Sequence, residues 1–318
     1  MKQRTFDPAG VVFGVVVPIA AAALGLIAVE LWKSRLPEQI ATHWSGTQPD
    51  GFMSPNTSAW TLAIVIVLVG GGCSALAALA HGLLIMRRTM LMIGLTVVGL
   101  ITVLQLAILE RQLDLTAVDN VEVPGWALGV GTLVGFSVGL LGASLLRDYR
   151  ERTDADSPPP ASLPRAANLD LPIVEPLGAG RVALTILFSI TAAAAALTCW
   201  LSESWWPVAI FAPLAILTVS LMRYELIVDR AGLHVRSLGM SAFDYSIGEI
   251  TGASVREVDP FSDFGGWGLR SKGRGNYAVA TTKGPAVFVT FANGQRLTIT
   301  TANAEHIAGT LNTLCSQR

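Results

Sequence analysis

The chain has 318 residues, 52% of them hydrophobic and only 14% charged, and a mean hydropathy of +0.54. An ordinary globular chain carries about a quarter charged residues; here the charge-free stretches are long and few, which excludes disorder, a coiled coil and a simple soluble enzyme. A net charge of −1 gives no footprint for nucleic acid, and three distant cysteines, Cys73, Cys199 and Cys315, frame neither a disulfide scaffold nor a thiolate metal site.

Crossing a hydrocarbon core of roughly 30 Å with a helix rising about 1.5 Å per residue takes about 20 apolar residues. Five runs reach that length without Asp, Glu, Lys or Arg: Ala9 to Val29, Trp60 to Ala80, Thr89 to Leu109, Gly125 to Leu146 and Val182 to Leu201. A sixth, Trp205 to Met222, is shorter and holds Pro207 and Pro213, but Trp205 and Trp206 are suited to anchor it at an interface. The first run competes with a cleaved signal peptide, since Lys2 and Arg4 precede it; 21 uninterrupted apolar residues are long for a secretory h-region. Counting Lys and Arg in short loops with the N-terminus inside puts ten on the cytoplasmic side. Lys33, Arg35 and Arg111 lie opposite, so both termini are predicted in the cytoplasm.

The expected architecture is an α-helical integral membrane protein of six predicted spans with a C-terminal α+β domain. Residues 1–147 form a four-span domain with an outer loop at 30–59, and 148–180 a cytoplasmic linker kept extended by Ser157-Pro158-Pro159-Pro160, Pro164, Pro172 and Pro176. A two-span hairpin at 181–223 follows. In the fourth span Gly131, Gly135 and Gly139 recur every four residues, a face for close helix packing within the chain or between copies. From Tyr224 the pattern turns to period two: Leu226 and Val228, a turn at Ala231-Gly232, then Leu233 and Val235. Val287, Val289 and Phe291 lead to Asn293-Gly294, read as a type I′ turn, and Leu297 and Ile299 return; Ile307, Leu311 and Leu314 mark one face of a closing helix.

The segment after the first run reads Leu36-Pro37-Glu38-Gln39-Ile40-Ala41-Thr42-His43-Trp44-Ser45-Gly46, then Pro49-Asp50-Gly51-Phe52. A proline-led stretch, a His-aromatic pair and a Pro-Asp-Gly turn beyond a first membrane helix resemble the family called domain of unknown function 1648. The match falls on Pro37, His43, Trp44, Pro49, Asp50 and Gly51; Thr47-Gln48 stands where other members have a further glycine. The resemblance implies a bacterial multi-pass membrane protein, in a family that includes toxin-immunity proteins signalling from the membrane. Their second membrane module has no counterpart here. Residues 224–318 resemble bacterial pleckstrin-homology-like domains in their strand series and closing helix.

His43 and Trp44 suit recognition, through a titratable imidazole and a stacking ring, or alternatively pin the loop to the membrane surface. Asp50-Gly51 reads as a turn, and Glu38, His43 and Asp50 are too few for a metal site. Gln105, inside the third run, is expected to bond a neighbouring helix, and no charge is expected in a span interior. Around Trp267, Gly265, Gly266 and Gly268 suggest a bend beneath a packed ring, while Arg270, Lys272 and Arg274 offer a face for anionic lipid of the inner leaflet. Enzyme motifs are absent, so no catalytic, cofactor or metal residues are assigned. The expectation is a non-enzymatic sensor, scaffold or immunity component that couples the outer loop to the cytoplasmic domain, with the bilayer and an unknown protein as partners. The alternative is a transporter subunit for an apolar or zwitterionic substrate.

Overall fold

The computed structural model describes residues 5–46, 48–150 and 152–318; Lys2 and Arg4 of the charge count, and Thr47 of the loop, lie outside the described residues. Two compact units are present, one of residues 1–149 with 189–215 and one of 150–188 with 216–318.

In the first unit, helices α1 (Pro8–Trp32), α2 (Pro55–Ala78), α3 (Leu84–Arg111) and α4 (Gly125–Leu145) are each long and apolar enough to cross a membrane, as is α5 (Arg181–Leu201). Asp7 caps α1, its carboxylate accepting from the Ala9 N–H at 3.0 Å, with Pro8 at the first helical position, where its missing N–H costs nothing. Further along, Pro18 leaves the Gly14 carbonyl without its helical donor, and the Ser74 hydroxyl of α2 donates to it at 2.8 Å. A π turn at Val12–Val16 accommodates the same defect. Ser54 caps α2, followed by Pro55. The sixth helix, α6 (Val208–Met222), has 15 residues with Pro213 inside it. It begins after Trp205 and Trp206 instead of including them, because Pro207 is tolerated only in a first turn. Its length, about 22 Å, falls short of a full hydrocarbon core, a mismatch that a crossing helix meets by local thinning of the bilayer.

The glycine face of α4 is used within the chain. A Cβ on Gly131 would lie 2.7 Å from the Leu100 Cα, one on Gly135 2.8 Å from the Thr96 Cα and one on Gly139 2.9 Å from the Met92 Cα, so α3 and α4 meet backbone to backbone. Between α1 and α2 stands a hairpin of β1 (Ile40–Trp44) and β2 (Pro49–Met53). Here the structure corrects the sequence reading. Pro49-Asp50-Gly51 is strand, paired Trp44 to Pro49 and His43 to Gly51, and the chain reverses before it.

The second unit has two sheets. One runs in the order β3 (Ile173–Gly178), β4 (Arg223–Val228), β5 (Gly232–Ser237), β6 (Met240–Ser246), all antiparallel. The other comprises β7 (Ile250–Val258), β8 (Gly268–Ser271), β9 (Asn276–Ala280), β10 (Gly284–Phe291) and β11 (Arg296–Thr300), in the order β7-β10-β11-β9-β8, with β11 and β9 parallel. Short helix α7 (Pro260–Phe264) precedes β8, and α8 (Ala304–Ser316) closes the chain with Ile307, Leu311 and Leu314 buried, as the 3.6-residue pattern requires. The turn at Asn293-Gly294 is not type I′, because only Gly294 has positive φ. Phe291 and Gln295 pair across three residues, Gly294 N–H donates to the Phe291 carbonyl, and the glycine closes a G1 bulge. Cys315 is wholly buried, and burial pushes its thiol up to about 11, which leaves it protonated and unreactive at neutral pH.

The proline-rich segment is not a free linker. It supplies β3 to the first sheet, Ala155 N–H donates to the Gly248 carbonyl at 2.8 Å, and Asn312 on α8, fully buried, donates to the Pro164 carbonyl at 3.0 Å. Prolines without N–H groups still accept, so the segment docks through its carbonyls. Arg152 likewise reaches buried Glu249 at 3.1 Å, while the Arg150 guanidinium lies 3.9 Å over the Tyr245 ring.

Candidate functional site

The hairpin is built around Trp44. Its indole N–H donates to the Val121 carbonyl at 2.7 Å, and its ring packs on buried Ala41, Val118 and Val121, so Trp44 joins the hairpin to the segment between α3 and α4. The ring is half-buried in this role. Gln112, fully buried just past α3, holds Ala41 on both sides: it accepts from Ala41 N–H at 2.7 Å and donates to Ala41 carbonyl at 3.1 Å. The sequence reading passed over Gln112; its position one residue after the helix, beside an apolar strand, was the available signal. Pro37 is half-buried, where the chain leaves α1 toward β1.

His43 and Asp50 face solvent together, 71% and 43% exposed, with imidazole Nδ1 and carboxylate Oδ1 2.6 Å apart. Ser45 donates its hydroxyl to the other carboxylate oxygen. Gly51 makes this possible, since a Cβ there would sit 2.8 Å from the His43 Cβ. The Ser45 hydroxyl, then His43, hold the Asp50 carboxyl below the usual carboxylate range. With a folded-state value lowered in this way, both contacts persist above the ordinary carboxylate range and are lost only as pH falls through the lowered value. Arg35 and Asp114 make a second exposed pair beside the hairpin, with Asp114 N–H donating to the Arg35 carbonyl at 2.7 Å. Among the described residues no group of three His, Cys, Asp or Glu is placed to hold a metal ion.

At the other end of the bundle, Arg87 and Arg88, expected only as charges flanking the third run, belong to the first turns of α3 and are buried. Arg87 pairs with Asp7 and donates to the carbonyls of Ala77 at 2.9 Å and Arg147 at 2.9 Å. Arg88 donates to Ala143 at 3.0 Å and Leu146 at 3.3 Å, where α4 exposes its last carbonyls. Asp7 was overlooked because it precedes the apolar run; Asp before Pro8 is itself an N-cap signature.

Gln105 also departs from expectation. It is 3% exposed, yet neither its Oε1 nor its Nε2 has a partner. Leaving such an amide buried and unpaired costs on the order of 1–3 kcal/mol. It lines a cavity of about 320 Å³ under the hairpin, together with Thr42, His43, Thr61, Leu104 and Ile108.

In the second unit the Trp267 ring is not packed as expected: it is 62% exposed and makes a T-shaped contact with Phe261, itself 58% exposed, with ring centres 4.7 Å apart. Gly265, Gly266 and Gly268 all have positive φ, so the bend expected there is present. Gly266 leaves space for the Arg270 guanidinium, and Arg270, Lys272 and Arg274 are exposed. Trp267 borders a depression with Gly180 and Ala183, where α5 starts, and Leu221 and Met222, where α6 ends.

Residues 19–67, which take in most of α1, the hairpin and the first half of α2, match the model of the family described as Domain of unknown function (DUF1648). The chain is a multi-pass membrane protein carrying the DUF1648 domain. Within that domain lie Pro37, His43, Trp44, Pro49, Asp50 and Gly51, whereas Gln105 and Gln112, which complete the surroundings of the hairpin, lie outside it. Comparison with curated proteins and with solved structures returns no match.

Proposed function

We propose that this DUF1648 protein is a non-enzymatic sensor or scaffold of six spans in the bacterial plasma membrane, recognising a partner at an outward hairpin and reporting it through a pleckstrin-homology-like cytoplasmic domain. The observation that carries the reading is the contrast within the hairpin. Trp44 and Gln112 hold it rigidly, while the His43–Asp50 pair is left exposed on that rigid support, the arrangement expected of a recognition element. Two sheets closed by a C-terminal helix support the pleckstrin-like reading. Crosslinking in membranes followed by affinity capture tests the first half. A protein partner is expected with the wild type and is expected to be lost with His43→Ala and with Asp50→Asn, neither of which disturbs Trp44. Equal recovery from all three counts against recognition by the hairpin.

Both termini are cytoplasmic in this reading, and Phe261 and Trp267 seat in the inner leaflet with Arg270, Lys272 and Arg274 facing anionic headgroups, each worth about 1 kcal/mol near the surface. Trp267 borders the start of α5, which supports an interfacial position. Single cysteines in a chain lacking Cys73, Cys199 and Cys315 test orientation and seating together. A cysteine at Ser54 is expected to label from outside intact cells. One at Ser271 should label only after permeabilisation, and one at Ser262, exposed beside Phe261 in the fold, should remain slow even then because lipid covers it. Fast labelling at Ser262 after permeabilisation refutes the seating, and labelling at Ser271 in intact cells refutes the orientation.

The transporter alternative keeps one supporting observation, the unpartnered amide of Gln105. It has lost the other, because α3 fills the glycine face of α4. Substrate flux in reconstituted vesicles separates it from the first reading.

A further inference from the structure

The cavity beneath the hairpin has the chemistry of a ligand site. Leu104, Gln105 and Ile108 project from one face of α3, Thr61 stands across from them on α2, and Thr42 and His43 close the hairpin end. Its volume, about 320 Å³, is at the small end of the range of about 300–1,000 Å³ typical of ligand pockets. The walls are apolar apart from Thr42, His43, Ser58 and Thr61, and the buried amide of Gln105 has a donor and an acceptor that no described residue takes up. Gly25 is bare where the amide lies: a Cβ there would come 2.6 Å from Nε2, so the backbone of α1 makes room for a polar group it does not bond. Thr61 and His43, both exposed, stand at the rim, so the cavity opens to the surface of the bundle and to that of the hairpin.

We propose that this cavity binds a neutral single-chain amphiphile through a paired hydrogen bond between an amide in the ligand and the Gln105 side chain. One unmet donor beside one unmet acceptor is complementary to a group presenting the same two functions, which an amide does. A carboxylate or ammonium would be desolvated there without a counterion, since among the described wall residues the only ionisable one, His43, already faces Asp50. The small volume suits one alkyl chain. The inference goes beyond the hairpin reading, since its occupant is a small amphiphile held beneath the hairpin and not the protein partner met at the exposed His43–Asp50 pair.

The test uses the full chain in detergent micelles and N-dodecylacetamide carrying a diazirine near its chain end, with the matched diazirine fatty acid as comparison. Labelling is expected in peptides from 55–65 and 101–109, competed by unlabelled N-dodecylacetamide, and about tenfold weaker in Gln105→Leu at equal probe concentration. Leu104→Trp, which fills the space, should abolish it. Gln105→Leu removes an unpaired buried amide, so its unfolding midpoint should equal or exceed that of the wild type, and weaker labelling then reports binding and not misfolding. Equal labelling of Gln105→Leu, equal labelling by the fatty acid, or labels scattered over all helices would overturn the proposal. Site-specific labelling with no partner captured by the hairpin keeps the pocket and removes the protein-partner reading; capture without pocket labelling does the reverse.

Discussion

Arg87→Met is expected to cost about 3–5 kcal/mol of stability, the usual penalty for removing one partner of a buried ion pair. Arg87 and Asp7 are 2% and 1% exposed, so solvent screens neither. The substitution does more than delete one pair. It frees the Ala77 carbonyl at the end of α2 and the Arg147 carbonyl beyond α4, and it leaves Asp7, which caps α1 and accepts from the Arg147 N–H at 3.2 Å, as an uncompensated buried carboxylate. Three helix ends therefore loosen at once. Asp7→Asn combined with Arg87→Met removes the stranded charge while keeping an oxygen for the cap, so the double variant should recover part of the loss. Equilibrium unfolding by SDS in mixed micelles measures this. An Arg87→Met variant within about 0.5 kcal/mol of wild type, the range of an ordinary surface change, would show that the clamp contributes little.

The same clamp shows where sequence reading stops. Runs of apolar residues specify membrane helices because nothing else in a chain needs twenty such residues in succession, and each of the five long runs matches a helix to within a few residues at either end. The period-two segments from Leu226 and Val287 became paired strands for an equally local reason. Arg87 and Arg88, by contrast, were legible only as positive charges flanking a span; that they turn inward depends on carbonyls 10 to 60 residues away in sequence, which no local pattern encodes. Strand β3 was hidden for a related reason. Ile173-Val174-Glu175-Pro176 has no alternation and includes a proline, yet an edge position tolerates both once β4 is there to pair with it. At the hairpin, the residues singled out in the sequence take up distinct structural places: Trp44 supports, His43 and Asp50 are displayed, and Gly51 serves close strand approach instead of a turn.

Gly135→Leu is expected to be the most disruptive single change in the α3–α4 packing. A new Cβ would run first into the Leu95 carbonyl oxygen, then into the Thr96 Cα at 2.8 Å and the Thr96 oxygen at 2.9 Å, all backbone, so no side-chain rotation relieves the clash and the two helices must separate. Overpacking a close contact costs typically about 1–3 kcal/mol. A branched side chain wedged at the middle of three such glycines should reach or exceed the top of that range, because separation at Gly135 also withdraws Gly131 from Leu100 and Gly139 from Met92. Gly72→Ala is the matched control, since a Cβ there meets nothing within 4 Å. It should be neutral or slightly stabilising, as alanine loses less backbone entropy in a helix. SDS unfolding combined with light scattering in detergent decides between packing and association. If the glycine face serves this fold, Gly135→Leu lowers the unfolding midpoint and leaves the mass of the folded fraction unchanged; a normal midpoint with a change in oligomeric mass would instead assign the face to contact between copies.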